Sequence, residues 1–184
     1  VSRCVARVDA LDAEGIDGLA GLLVDATDSG ASVGFLPPLP MADARAYWTG
    51  IAEDVAAGRR LLLVVRDADG RIDGTAHLAL PAMPNQRHRA DVSKLLVHRR
   101  ARGRGLARQL MDAIEAEALA AGRWLLVLDT AVGHEAEAIY RHLGWIIAGV
   151  VPDYAANGDG THVGTIFMWK RLSPTLSAPT AGTA

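Results

Sequence analysis

Residues 95 to 110 read Leu-Leu-Val-His-Arg-Arg-Ala-Arg-Gly-Arg-Gly-Leu-Ala-Arg-Gln-Leu, an apolar strand end that runs through an arginine- and glycine-rich turn into an amphipathic helix. Glycines at 103 and 105 let the backbone curl until consecutive N–H groups converge, and the free amides of the helix's first turn point the same way. A phosphate completes such a turn. The plain alternative is an ordinary glycine turn with solvated arginines. Against it stand the Val92-Ser-Lys-Leu-Leu-Val97 strand before the turn and the Leu106, Leu110, Ile114 helix face after it.

Two common phosphate-binding patterns are not written here. A Walker A loop closes on Gly-Lys-Ser/Thr, and a dinucleotide fingerprint needs an acidic ribose partner roughly 20 residues on. What Arg102-Gly103-Arg104-Gly105-Leu106-Ala107 does resemble is the Arg/Gln-x-x-Gly-x-Gly/Ala signature of the GCN5-related (GNAT) N-acetyltransferases. The resemblance implies acetyl-CoA as cosubstrate, its pyrophosphate on residues 102 to 107. It also implies a pantetheine arm lying against the 92–97 strand where two neighbouring strands splay apart, with Leu95, Leu96 and Val97 beside the acetyl group and upper pantetheine.

A chain of 184 residues is long enough for one domain with a real core, here expected over 1–172. The small, polar, Pro-containing stretch 173–184 reads as a disordered tail. A net charge of −2 does not favour nucleic acid or an anionic membrane. The clustered Arg99, Arg100, Arg102, Arg104 and Arg108, with no interleaved aromatics, suit one small polyphosphate better than a polynucleotide. Cys4 has no second cysteine to pair with, and the aliphatic runs are too short to cross a bilayer. With no charged-then-apolar leader at the start, the expectation is a cytoplasmic protein.

Periodicity predicts β-α-α-β-β-β-α-β-α-β-β. A short strand at Cys4–Val8 precedes helices at Ile16–Thr27 and Ala42–Ala57, the second with Asp43 as its cap. Strands follow at Leu61–Val65, Ile72–Leu80 and His88–Val97, then the helix that opens on the anion turn and stops near Gly122. Trp124–Leu128, a short helix Glu135–Leu143, Trp145–Val151 and Val163–Lys170 complete the order. This is an α/β class with a central mixed β-sheet and helices on both faces, the order of the GNAT fold.

Amine acetylation needs a neutral amine and a proton for the departing thiol. Asp91 and Asp129, at the ends of adjacent strands, are the candidates for removing the amine's proton, most simply through water. The competing reading makes each a strand-end cap. Tyr140, in Ala136-Glu-Ala-Ile-Tyr-Arg-His-Leu-Gly-Trp145, resembles the family tyrosine beside the coenzyme A sulfur; its competing reading is a core aromatic with a satisfied hydroxyl. Strict alternation puts Asp91, Ser93, Leu95 and Val97 on one face. Relatives often carry Asn seven residues before the tyrosine, where this chain has Gly133, with His134 beside it. Six scattered histidines at no zinc-helix spacing and one cysteine predict no metal.

A narrower likeness spans most of residues 4 to 172. Gly30-Ala-Ser-Val-Gly-Phe-Leu36 with Ala46-Tyr-Trp48, the Ala90-Asp-Val-Ser-Lys-Leu95 strand and Leu128-Asp-Thr130 resemble the tabtoxin-resistance and antibiotic N-acetyltransferases of this family. It implies a small-molecule amine partner, a tabtoxin-type β-lactam or an aminoglycoside such as kasugamycin, and is compatible with a homodimer. Two other classes stay open: an acetyltransferase acting on a protein or polyamine, and a non-catalytic acyl-CoA-binding regulator.

Overall fold

The structure, a computed structural model, describes residues 4–173. The reading of 173–184 as a disordered tail lies outside them from residue 174 onward. The elements follow in the expected order: β1 (Val5–Val8), α1 (Ala13–Asp28), α2 (Met41–Ala56), β2 (Arg60–Arg66), β3 (Ile72–Ala79), β4 (Arg89–Val97), α3 (Leu106–Ala120), β5 (Leu125–Ala131), α4 (Glu135–His142), β6 (Ile146–Ala156) and β7 (His162–Arg171). One seven-stranded sheet runs β1-β2-β3-β4-β5-β7-β6. Among the described strands β4 and β5 form the one parallel pair. The crossover through α3 makes that possible, since parallel neighbours need a long connection.

Leu61 to Val65 are buried on both sides of β2, which is why this strand reads as an unbroken apolar run. Its alternate residues feed two cores. Leu61, Leu63 and Val65 pack with Leu110, Met111 and Ile114 of α3, and Tyr140 of α4 joins this cluster. Leu62 and Val64 pack on the opposite face with Leu19 and Leu23 of α1 and Trp48 and Ile51 of α2. Truncating one of these side chains to Ala would cost about 2–5 kcal/mol, a large part of an ordinary domain's stability.

The termini of α1 and α2 differ from expectation. α1 opens on Asp12, whose carboxylate accepts the Gly15 N–H at 2.8 Å. α2 starts at Met41 with Pro40 in the cap position and no side-chain cap bond, so Asp43 does not cap it; it sits in the first turn, where its charge complements the helix dipole. β5 and β6 run several residues past their predicted ends because pairing with β7 continues there: Asp129 stands opposite Phe167, and Ala155 opposite Val163. Asp129 is therefore inside a strand.

Candidate active site

The anion turn begins on a fixed base. Arg99 and Arg100, in a short 3-10 turn over Arg99–Ala101, keep exposed side chains but each reaches a buried carboxylate. The Arg99 backbone N–H and guanidinium donate to the Asp25 carboxylate at the end of α1, and Arg100 Nε donates to the buried Asp73 at 2.8 Å. Those two arginines hold the turn in place, so the five-arginine cluster divides. Arg102 spends its Nε on the Val97 carbonyl at 3.2 Å, while Arg104 and Arg108 stay at the surface.

Gly103 and Gly105 have φ of 73° and 74°, the left-handed region that an L side chain enters at a cost. Gly105 occupies the cap position of α3 without a side chain to satisfy the helix's first amides. Backbone N–H groups 103 to 107 make no hydrogen bond to any described residue, and the space where a Cβ would sit on either glycine is open to 4 Å. Unpaired amides beside empty space are what an anion cradle requires.

The strand that leads into this turn leaves its parallel partner early. Pairing of β4 with β5 stops at Asp91 opposite Val127, so residues 92–97 of β4 present an open edge to β5. β4 also carries a bulge. Thr75 and His77 of β3 pair with Leu96 and Ser93, setting two β4 residues against one, and Lys94 takes up the irregularity with φ 52°. The expected single face is thereby split. Asp91 and Ser93 lie toward α1 and α2, Leu95 and Val97 pack on the α3 side, and Leu96 is buried on the α1/α2 side. One inserted residue reverses every side chain beyond it.

Asp91 and Asp129 do share a face. Residues opposite one another point to the same side, and Asp129 is two residues beyond Val127, about 7 Å of strand rise from the level of Asp91. Neither accepts a backbone N–H from a described residue, which removes the capping explanation. Asp91 is half-buried, with Arg89 at 3.4 Å. Loss of hydration raises its pKa above the ordinary carboxylate value, against the pull of Arg89 and Arg60. Tyr140 is core in its ring, 5.9 Å from that of Trp145, but its hydroxyl bonds no described residue. Burial, helped by the Asp129 charge, pushes the phenol well above its ordinary pKa and keeps it protonated. Gly133, where relatives often have Asn, gives its N–H to Glu137 at 3.2 Å, and His134 makes no cap bond.

Sequence reasoning missed a chain of polar side chains on the α1/α2 face. Arg60 at the start of β2 donates from Nη1 to His77 Nδ1 at 2.9 Å, and His77 Nε2 lies 3.3 Å from the Tyr47 hydroxyl on α2. A guanidinium has no acceptor, so Nδ1 carries the lone pair and the neutral ring's proton is on Nε2, donated to Tyr47. The Tyr47 proton is left free. Lys94 lies next to this chain, its ammonium 5.3 Å from the Tyr47 ring centre and 6.0 Å from that of Phe35. A lysine and a histidine set within apolar strands were the sequence signal, but only the sheet shows which element they meet.

Beyond β4 the same face of β5, β7 and β6 carries Asp129, Phe167 and Tyr154, the last two in edge contact at 5.7 Å. The β6–β7 turn then reaches the α1–α2 loop: a Cβ on Gly158 would come within 3.4 Å of the Pro37 ring. The same α1–α2 loop lies by Lys94, whose ammonium would be 3.8 Å from a Cβ on Gly34. Among the described residues no group of three or more metal-ligating side chains occurs, and no helix is long and apolar enough to cross a membrane.

The sequence and the fold are matched by known proteins. The acetyltransferase (GNAT) domain family matches residues 58–147. An uncharacterized N-acetyltransferase in the hisH-hisA intergenic region of Azospirillum brasilense is 36% identical over 127 residues, 68% of this chain and 73% of its own. A GCN5-related N-acetyltransferase from Kribbella flavida superimposes with a TM-score of 0.72 at 25% identity, covering 91% of this chain and 98% of its own. The structure of yncA from Salmonella typhimurium with its cofactor acetyl-CoA gives a TM-score of 0.75 at 18% identity, covering 99% and 100%.

Proposed function

The chain belongs to the GNAT acetyltransferase family, and on that premise we propose that it acetylates the amine of a small antibiotic or toxin with acetyl-CoA, abolishing the amine's positive charge. One observation carries the reading. The β4–β5 ladder opens at Asp91 and Val127, between an anion cradle at 102–107 and two carboxylates on a shared face.

The residues present fit acetyl-CoA. Amides 103 to 107 and the Arg102 and Arg104 side chains would hold the pyrophosphate, and the open edge of β4 with Leu95, Leu96 and Val97 would hold the pantetheine arm. When bound, acetyl-CoA supplies an activated acetyl thioester. Asp91 and Asp129 take the ammonium proton of the acceptor through a shared water, for which the raised pKa of Asp91 suits it. Tyr140 keeps its proton for the coenzyme A sulfur. With both substrates held side by side, proximity supplies much of the acceleration.

The α1–α2 loop, which lies by Lys94 at Gly34 and meets the Gly158 turn at Pro37, supports a small acceptor over a protein chain, because it brings two loops together on the Lys94 side of the sheet. The candidate acceptors are tabtoxin-type β-lactam dipeptides and aminoglycosides such as kasugamycin. The test is free-thiol release from acetyl-CoA across a panel of amine antibiotics and toxins, with histone peptides and spermidine as controls. Selective turnover of a panel member is expected; turnover of peptide or polyamine alone overturns the assignment.

A further inference from the structure

Lys94 feels the Asp129 charge on the neighbouring strand but makes no ion pair with it. Among the described residues no carboxylate lies within ion-pairing distance of its ammonium, although the cluster around it is otherwise paired: Arg60 with Asp54 at 3.4 Å and Arg89 with Asp91 at 3.4 Å. The β4 bulge, with Lys94 at φ 52°, sets its side chain against the Phe35 and Tyr47 rings. Those rings are themselves in edge contact at 5.3 Å, so the ammonium is backed by a rigid aromatic wall.

Two further donors stand in the same cluster. Tyr47 accepts from His77 and so has its own O–H to give, and Arg60 Nε–H is buried without a partner. A half-buried cation that meets Asp129 only across a distance, together with unspent donors, is complementary to an anion. Water satisfies them less well than a carboxylate does.

Resting on the acetyltransfer reading above, we propose that Lys94, with the Tyr47 hydroxyl, binds an acidic group of the acceptor, so that the substrate is an amine that also carries a carboxylate, as in an amino acid or dipeptide. The amine then lies toward Asp91 and Asp129 and the acid toward Lys94. A polycationic aminoglycoside meets this cation as a like charge, so the inference selects the dipeptide-type acceptors over the aminoglycosides. Lys94 is a specificity-determining residue here, acting on recognition and not on proton transfer.

The test uses the full chain with acetyl-CoA and reads free thiol for amino acids and dipeptides, each paired with its C-terminal amide. Acids should be preferred over their amides by about 10- to 100-fold in kcat/KM, the size of one lost charged hydrogen bond. Lys94→Gln should raise KM for the acids by a similar factor, leave kcat within a few-fold, erase the preference for acid over amide, and leave acetyl-CoA affinity by calorimetry unchanged. Lys94→Arg should restore part of the preference, which a purely structural role would not do. Amides turned over as well as acids, or an aminoglycoside accepted with KM insensitive to Lys94→Gln, overturns the inference while acetyltransfer stands. No turnover with any amine overturns both.

Discussion

Arg60 donates to His77 Nδ1 at 2.9 Å, and this one contact decides which nitrogen of a fully buried imidazole carries the proton. The ring passes that choice on to Tyr47, so a guanidinium on β2 sets the donor direction of a hydroxyl on α2.

The same ring gives the fold a pH dependence. Burial first, then the Arg60 and Lys94 charges, hold the His77 pKa well below 6.5, so the unfolded chain binds a proton that the folded one refuses. His77 thus contributes stability that is complete above about pH 6.5 and is lost progressively as pH falls below it. Melting temperature measured from pH 8 to 5 should drop below pH 6.5. In His77→Gln that part of the slope should flatten; an unchanged slope would assign it to other groups.

Gly105→Ala places a side chain on a residue at φ 74°. The left-handed conformation should cost about 1–2 kcal/mol in stability, and relaxation away from it would turn the α3 amides from their convergence point. Calorimetry should show weaker acetyl-CoA binding with cooperative unfolding retained. Full affinity would remove residues 102–107 from the cofactor site.

Tyr140→Phe removes a hydroxyl that bonds no described residue and leaves the ring against Trp145. Stability should change little, while kcat on an accepted amine should fall by about 10²-fold or more with acetyl-CoA affinity kept. A fall under twofold would leave Tyr140 as core.

Asp91→Asn and Asp129→Asn should each slow turnover, and the double variant should lose far less than the product of the two, as expected for groups sharing one water. The wild-type rate should rise with pH as the carboxylate and amine deprotonate. Because the Asp91 pKa is raised, its limb lies above the usual carboxylate range, and Asp91→Asn should displace it. Additive losses with an unmoved pH profile would leave the neutral nucleophile to the amine's own pKa.

Local pattern carried a long way in this chain. Leu106, Leu110 and Ile114 announced α3, and glycines 122 and 144 marked helix ends, since both act through neighbours a few residues off. The Arg-Gly turn was legible for the same reason, its amides being aimed by its own backbone. The division of the arginines was not, because Asp25 and Asp73 lie 74 and 27 residues from their partners.

What tertiary structure alone decided is which side chains gather on the α1/α2 face of β4. Strict alternation would have placed Leu95 with Asp91, but the β3–β4 register inserts an extra residue at Lys94 and reverses the strand beyond it. A bulge is a property of two paired strands, and one strand's sequence does not encode where its partner slips. In the same way Lys94, Tyr47, His77 and Arg60 come from four elements whose meeting depends on how α2 lies across the sheet. Local periodicity determined the elements and the Arg-Gly turn, whose motif carried the resemblance to the family; long-range register and packing determined which charged side chains share the face of Asp91 and Asp129.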